Sequence, residues 1–129
     1  MEITENPTKV TLWISYVLQA IIALFFLMGA AMNLLQTETA VANAEELGYD
    51  TNSLHYMGAA LLLATCIYVI PRFIVLGAIL LTGWLGGAVA THVIHQDPIG
   101  VVLIPVLFAM LVWLVVVLRN KSYHILLPL

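Results

Sequence analysis

Four long apolar runs dominate the chain, and short polar stretches separate them. The runs cover residues 10–35, 54–70, 73–94 and 99–118. A helix that crosses a bilayer needs about 17–25 mostly apolar residues, and each run is near this length. The runs are too long and too continuous for strands. The pattern therefore predicts an all-α fold, an integral membrane four-helix bundle that forms a single transmembrane domain over residues 1–129.

The polar stretches predict how the helices connect. Pro71 follows the second run, and the residue before a proline tends to leave the helical region, so we expect a break there. Residues 96–98 predict a turn between the third and fourth helices. The long connection at residues 36–53 includes a stretch, residues 38–47, that predicts a short surface helix.

The composition supports a membrane protein and restricts the classes of partner that the chain can bind. Hydrophobic residues make up 63% of the chain and charged residues 9%, with a mean hydropathy of +1.07. Soluble domains are about 45–50% apolar and about 25% charged. With only 4 Lys and Arg residues, the chain has no basic face for a nucleic acid. The expected partner is the lipid bilayer, and other membrane subunits or a second copy of the chain are further candidates.

The basic residues predict the orientation. With four spans, all of them fall on one side of the membrane, and the opposite side has no Lys or Arg. They are Lys9, Arg72, Arg119 and Lys121. Basic residues are enriched on the cytoplasmic side of membrane proteins, so both termini are predicted to be cytoplasmic.

Two further features concern the half of the bundle near the basic residues. Aromatic residues near the inner boundary predict an aromatic belt, with the members Trp13, Tyr16, Tyr68 and Tyr123. Gln19 lies inside the first helix, where an unsatisfied polar group is costly. Its side chain is therefore predicted to point inward, toward Thr65 or Thr82.

Small residues on the third helix predict a packing face. They recur at three- and four-residue spacing, which places them on one side of the helix: Gly83, Gly86, Gly87 and Ala90. Small residues allow helices to approach closely in a membrane. We expect this face to pack on another helix of the chain, with Gly29 and Gly58 as partner sites, so that Gly87→Leu would separate the helices. The alternative is a homodimer interface.

Polar residues collect at the opposite, predicted outer end, and they form the candidate ligand site. They are Asn33, His55, His92, His95 and Asp97. His92 and His95 are three residues apart and share a helix face. A direct contact between His92 and Asp97 requires the 96–98 turn to fold back over the last helical turn.

Three interpretations of this cluster stay open. The first is a set of interfacial histidines with Asp97 as a helix cap. The second is a hydrogen-bonding or proton-accepting site for a head group or a quinone, because an ionisable group inside the membrane boundary favours a functional role. The third, and the weakest, is a metal or haem site, because the spacing is loose and no metal-binding motif accompanies it. No catalytic residue can be assigned.

The chain from Tyr68 onward resembles the DoxX-like family of small bacterial membrane proteins. The resemblance rests chiefly on LGAILLTG at residues 76–83 and LGGAVATH at residues 85–92, with YVIPR at 68–72 before them. It implies a multi-pass protein of the bacterial inner membrane, an accessory or subunit protein of a redox or transport system. The alternatives are a quinone-linked oxidoreductase component and a binder of a lipid or other hydrophobic ligand. Whether the chain is an enzyme is left open.

Two positions depart from the pattern that the resemblance implies. Family members usually have a lysine where this chain has Asn33 and a glutamate where it has Leu61. Loss of only one member of a buried ion pair leaves a costly lone charge, so joint loss is physically sensible. It puts in doubt any activity that depends on those charges. His92 and Asp97 match the family pattern, whereas His95 is particular to this chain.

Overall fold

The structure is a computed structural model that describes residues 8–119. Within that range the regular structure is entirely helical, which confirms the predicted all-α class. The elements are α1 (Lys9–Leu34), α2 (Glu38–Glu46), α3 (Ser53–Val69), a 3₁₀ turn (Pro71–Phe73), α4 (Ile74–Ile94) and α5 (Ile99–Arg119). The four predicted apolar helices correspond to α1, α3, α4 and α5. Their ends lie within one residue of the predicted ones, and α2 occupies the predicted surface helix.

Each of the four long helices packs against two of the others. α1 contacts α3 and α5, and α4 contacts the same two helices from the other side. Their shared interior is apolar and includes Ile22, Phe26, Leu61, Tyr68, Leu81 and Val115. Large apolar side chains also face outward, among them Trp13, Leu24 and Met110, which are 70%, 67% and 64% exposed. A surface of this kind is suited to lipid.

Three helical segments of residues 8–119 are long and apolar enough to cross a membrane. They are Lys9–Leu34, Pro71–Ile94 and Ile99–Arg119. The fourth apolar helix, α3, is shorter, with 17 residues. The structure therefore presents three clear candidate spans and one of marginal length.

Three helices end in the same way at the end of the molecule that contains His92, which we call the His92 end. The residue after each helix cap has a positive φ: 49° at Gln36, 86° at Gly48 and 61° at Gln96. The next N–H then bonds back to a carbonyl five residues earlier, as from Asp97 to His92 at 3.0 Å. This is the Schellman arrangement, which satisfies the last carbonyls and reverses the chain.

The glycine-rich face of α4 corrects a prediction from the sequence. A Cβ added at Gly83, Gly86 or Gly87 would meet no atom within 4 Å, and Ala90 is exposed. The expectation that this face packs on another helix of the same chain is therefore wrong. On α4 the lipid-facing and the packed sides are both apolar, so small residues alone do not reveal which side is covered. The homodimer alternative stays a prediction.

The close approach between helices occurs instead at Gly77 and Gly58. A Cβ at Gly77 would overlap the backbone of Tyr68, where α3 turns into α4. A Cβ at Gly58 would lie 3.0 Å from the carbonyl oxygen of Ala30 on α1. Gly29, the other expected partner site, would make only an ordinary contact of 3.7 Å with Leu61.

A polar cluster joins three helices at the opposite end, which we call the Arg119 end. The Arg119 guanidinium donates to Ser15 Oγ at 3.0 Å and to Gln19 Oε1 at 2.8 Å. Gln19 Nε2 donates to the carbonyl of Tyr68 at 3.0 Å. Gln19 therefore points inward as expected, but its partners are Tyr68 and Arg119 and not the predicted Thr65 or Thr82.

Tyr68 also departs from its predicted place in an aromatic belt. Its side chain is fully buried, and its hydroxyl donates to the carbonyl of Val112 at 2.9 Å. Trp13 and Tyr16 are exposed, in keeping with such a belt, and Tyr123 lies outside the described residues.

Candidate functional site

A groove of about 350 Å³ opens at the His92 end between the long helices and α2, and we call it the His92 groove. Most of its wall is apolar and aromatic. Its principal lining residues are Phe25, Phe26, Leu61, Trp84, Ala88, Phe108, Asn33, Asn43, Tyr49 and His92. The Phe25 and Phe108 rings stack with their centroids 4.7 Å apart. The groove thus combines an aromatic interior with a few polar groups.

Asp97 joins the two histidines that end α4. Its Oδ2 lies 2.6 Å from Nδ1 of His92, and its Oδ1 lies 2.7 Å from Nδ1 of His95. The positive φ of Gln96 permits this contact, because it folds the turn back over the last helical turn. A carboxylate only accepts hydrogen bonds, so each ring carries its proton on Nδ1.

These contacts set the charge at the helix end. Hydrogen bonds, first from His92 and then from His95, hold the pKa of the Asp97 carboxyl below its ordinary value of 3.8. The hydrogen bond to Asp97 raises the pKa of His95 above 6.5, and the charge of Glu46 adds to the effect. Asp97 is therefore an anion at neutral pH that stabilises a positive charge on His95.

We expect the stability of this turn to depend on pH in a defined way. The raised pKa of His95 gives a contribution that is complete below 6.5 and is lost as the pH rises through the folded-state pKa. The lowered pKa of Asp97 gives a contribution that is present above 3.8 and is lost as the pH falls. The turn is therefore most stable between these two values.

Proton NMR of the histidine rings in detergent micelles measures this effect. The His95 ring should titrate above 6.5 in the unaltered protein and at a lower pH in Asp97→Asn. A His95 ring that titrates at or below 6.5 in the unaltered protein would contradict the observed contact.

The structure brings together only part of the candidate set predicted from the sequence. His92 and Asn33 both line the groove, and Asp97 holds His92 from outside it. His95 contacts Asp97 but does not line the groove. His55 lies at the expected depth, yet its Nε2 pairs with Gln36 Nε2 at 3.1 Å and does not face the groove.

The connection between α1 and α3 supplies lining residues that the sequence did not identify. α2 covers the groove with Ala40, Asn43 and Ala44, and the residues after it add Leu47 and Tyr49. The Tyr49 hydroxyl bonds to Thr91 Oγ1, which itself donates to the carbonyl of Gly87 at 2.9 Å. This bond fixes the connection to α4. In the sequence, the residue that could have indicated this contact is Tyr49, the tyrosine after the predicted short helix.

A metal centre does not form from the candidate cluster as the structure arranges it. Both histidines direct Nδ1 at the same carboxylate, which uses both of its oxygens. Among residues 8–119, no group of three or more His, Cys, Asp or Glu side chains is placed to hold a metal ion. Nδ1 of His92 is thus engaged with Asp97, and Nε2 is the ring nitrogen left to contact a ligand.

Comparison with protein families assigns the chain. The model of the DoxX-like family matches residues 17–115, a range that includes every lining residue of the groove. The chain belongs to the DoxX-like family. Neither a curated protein nor a solved structure matches this DoxX-like chain. Family membership and the apolar helices together indicate a membrane protein.

The two positions at which the resemblance implies charged residues lie in the same groove of this DoxX-like chain. Asn33, at the end of α1, and Leu61, in the middle of α3, both line it. Leu61 is buried, and the Asn33 amide makes no side-chain hydrogen bond within the described residues. At these two positions the groove therefore has an apolar wall at Leu61 and an amide at Asn33.

Proposed function

We propose that this DoxX-like chain is a multi-pass protein of the bacterial inner membrane that holds an amphiphilic small molecule in the His92 groove. The observation that supports the proposal most is the groove itself. Ligand sites are concave, mostly apolar cavities of about 300–1,000 Å³ with a few convergent polar groups. The groove has about 350 Å³, an aromatic wall and His92 and Asn33 among its lining residues.

The proposal includes a four-helix bundle with all four long helices in the membrane. α3 has 17 residues, which is at the lower limit of about 17–25 for a span. It packs against α1 on one side and α4 on the other, both of which are candidate spans. These neighbours support a membrane position for α3 as well.

Both termini are expected on the cytoplasmic side. Arg119 contacts the first half of α1, and Gln19 contacts the end of α3, so Lys9, Arg72 and Arg119 share one end of the molecule. Lys121 lies outside the described residues. A tag at either terminus should be protected from protease in intact spheroplasts and cut after lysis. Cleavage of either tag from the periplasmic side would contradict this orientation.

The ligand proposal is tested by extraction from protein purified out of its native membrane. Mass spectrometry of the organic extract should find a small amphiphile at near-stoichiometric amounts. Ala88→Phe places a ring in the groove, and we expect the amount of ligand recovered per protein to fall at least tenfold. Ala60→Phe is the matched control, because Ala60 is exposed on α3 and does not line the groove. Equal ligand content in the two variants would overturn the proposal.

A second candidate is a quinone-linked component of a membrane oxidoreductase. The specific observation in its favour is the His92–Asp97 pair, because a carboxylate-supported imidazole can accept a proton from a ligand head group. In either case we propose an accessory or subunit role in a redox or transport system, with other membrane subunits or a second copy as partners. A quinone in the organic extract would favour the second candidate over a lipid.

A further inference from the structure

We infer that the His92 groove selects amphiphiles whose head group carries a hydroxyl, which donates its hydrogen to Nε2 of His92. The inference rests on the proposed function and adds the chemical class of the ligand. It depends on three observations: the direction of the hydrogen bond between Nδ1 of His92 and Asp97, the position of His92 in the wall of the groove, and the polar groups that surround His92.

The direction of the hydrogen bond follows from Asp97. A neutral imidazole has one N–H donor and one acceptor nitrogen. Asp97 Oδ2 lies 2.6 Å from His92 Nδ1, and an ionised carboxylate accepts only, so the proton is on Nδ1. In neutral His92 the acceptor is then Nε2. This nitrogen has no hydrogen bond to any residue that the structure describes.

Asp97 contacts two rings, and the positive charge beside it falls on His95. Asp97 carries one negative charge and contacts two rings, so it balances one imidazolium. His95 has the more exposed side chain, 33% against 25% for His92. His95 is also the ring whose pKa is raised, with Glu46 close enough to contribute. His95 therefore takes the positive charge that Asp97 balances, and Nε2 is the His92 ring nitrogen that Asp97 leaves unused.

Two other polar groups of the groove already have hydrogen-bond partners. The Tyr49 hydroxyl bonds to Thr91, and the Trp84 indole donates to the carbonyl of Met57 at 3.2 Å. The Asn33 amide has no side-chain partner among residues 8–119 and can either donate or accept. The acceptors of the groove that can distinguish a hydroxyl from an ether or an ester carbonyl are thus His92 Nε2 and the amide oxygens of Asn33 and Asn43, and the His92→Phe variant separates the histidine from the amides.

Paired probes in phosphatidylcholine nanodiscs test the inference. 4-Octylphenol and 4-octylanisole differ by the methyl group that removes the hydroxyl donor. We expect the phenol to bind about tenfold more tightly, since a hydrogen bond worth about 1.4 kcal/mol corresponds to a factor of ten. Binding is measured by calorimetry against empty nanodiscs, which corrects for partition into lipid.

Two variants connect the preference to the histidine. His92→Phe should bring the phenol-to-anisole ratio to about one, with a melting temperature close to that of the unaltered protein because His92 is partly exposed. Asp97→Asn should lower the ratio as well, because an asparagine amide can donate to Nδ1 and move the ring proton to Nε2. A tenfold ratio that persists in His92→Phe would overturn the inference.

The probes also separate this inference from the proposed function. Equal affinity of both probes for the unaltered protein would overturn the hydroxyl preference and leave the groove as a ligand site. Failure of both probes to bind above empty nanodiscs would overturn both. 1-Decanol and its methyl ether form a second pair: a preference in both pairs indicates any hydroxyl, and a preference in the phenol pair alone indicates an aryl hydroxyl.

Discussion

Gly77→Ala is expected to lower the melting temperature of the detergent-solubilised protein by about 4–12 °C, since overpacking typically costs about 1–3 kcal/mol. The added methyl group would overlap the backbone of Tyr68. A backbone cannot move aside as a flexible side chain can. The side chain of Tyr68 is itself buried and bonded to Val112, so the connection between α3 and α4 has little freedom to adjust.

Gly87→Ala is the matched control for this substitution. It adds the same methyl group to the same helix at a site with no atom within 4 Å. We expect no loss of stability and even a gain, because alanine is favoured over glycine in a helix interior by about 0.5–1 kcal/mol. Equal destabilisation by the two changes would show that the glycine face of α4 is covered, as in the homodimer alternative.

Arg119→Met is the second change with a large expected effect. It removes the donor to Gln19 Oε1, leaves Ser15 Oγ with its longer bond to the carbonyl of Val115 at 3.4 Å, and removes the guanidinium that lies 4.2 Å from the centre of the Tyr16 ring. Buried polar groups left without partners cost about 1–3 kcal/mol. We expect a clear fall in the melting temperature, with Arg119→Lys intermediate because an ammonium cannot reproduce the two-pronged geometry.

Arg72→Met serves as the control for loss of a basic residue at the same end. Arg72 is exposed, and its guanidinium lies 5.7 Å from the Phe73 ring centre. Surface substitutions away from buried networks usually change stability by less than about 0.5 kcal/mol. Equal melting curves for Arg119→Met and Arg72→Met would mean that the polar cluster at the Arg119 end contributes no stability.

The length and depth of the helices could be predicted from the sequence because they depend on the run of apolar residues alone. The ends of α1, α3, α4 and α5 follow the edges of those runs and the break at Pro71. The depth of a residue along its helix also follows from its position in the apolar run. This position predicts that His55, His92 and Asp97 lie at the same end of the bundle. These features need no knowledge of which helices are neighbours.

The rotation of each helix about its axis could not be predicted in the same way. A soluble helix reveals its buried face by its polar face, but here both faces are apolar. Gly77 and Gly87 are both glycines in α4, and only the fold shows that the first meets a backbone and the second meets none. His55 faces Gln36 and not the groove for the same reason.

The contact between His92 and Asp97 illustrates what a turn adds to a sequence pattern. The spacing of five residues allowed the contact only if the chain folded back. The fold-back requires a positive φ at Gln96. Glycine adopts this conformation most readily, so a glutamine at this position did not indicate that the chain folds back. The cover formed by α2 and Tyr49 depends on contacts distant in sequence, which no local pattern contains.

The decisive measurement is an experimental density map of the protein, purified from its native membrane without added ligand. We expect elongated non-protein density in the His92 groove, with its tail along Phe25 and Phe108 and its head within hydrogen-bonding distance of His92 Nε2. A groove filled by the protein's own side chains, or a bound molecule from which His92 is turned away, would show that the groove is not the ligand site proposed for this chain.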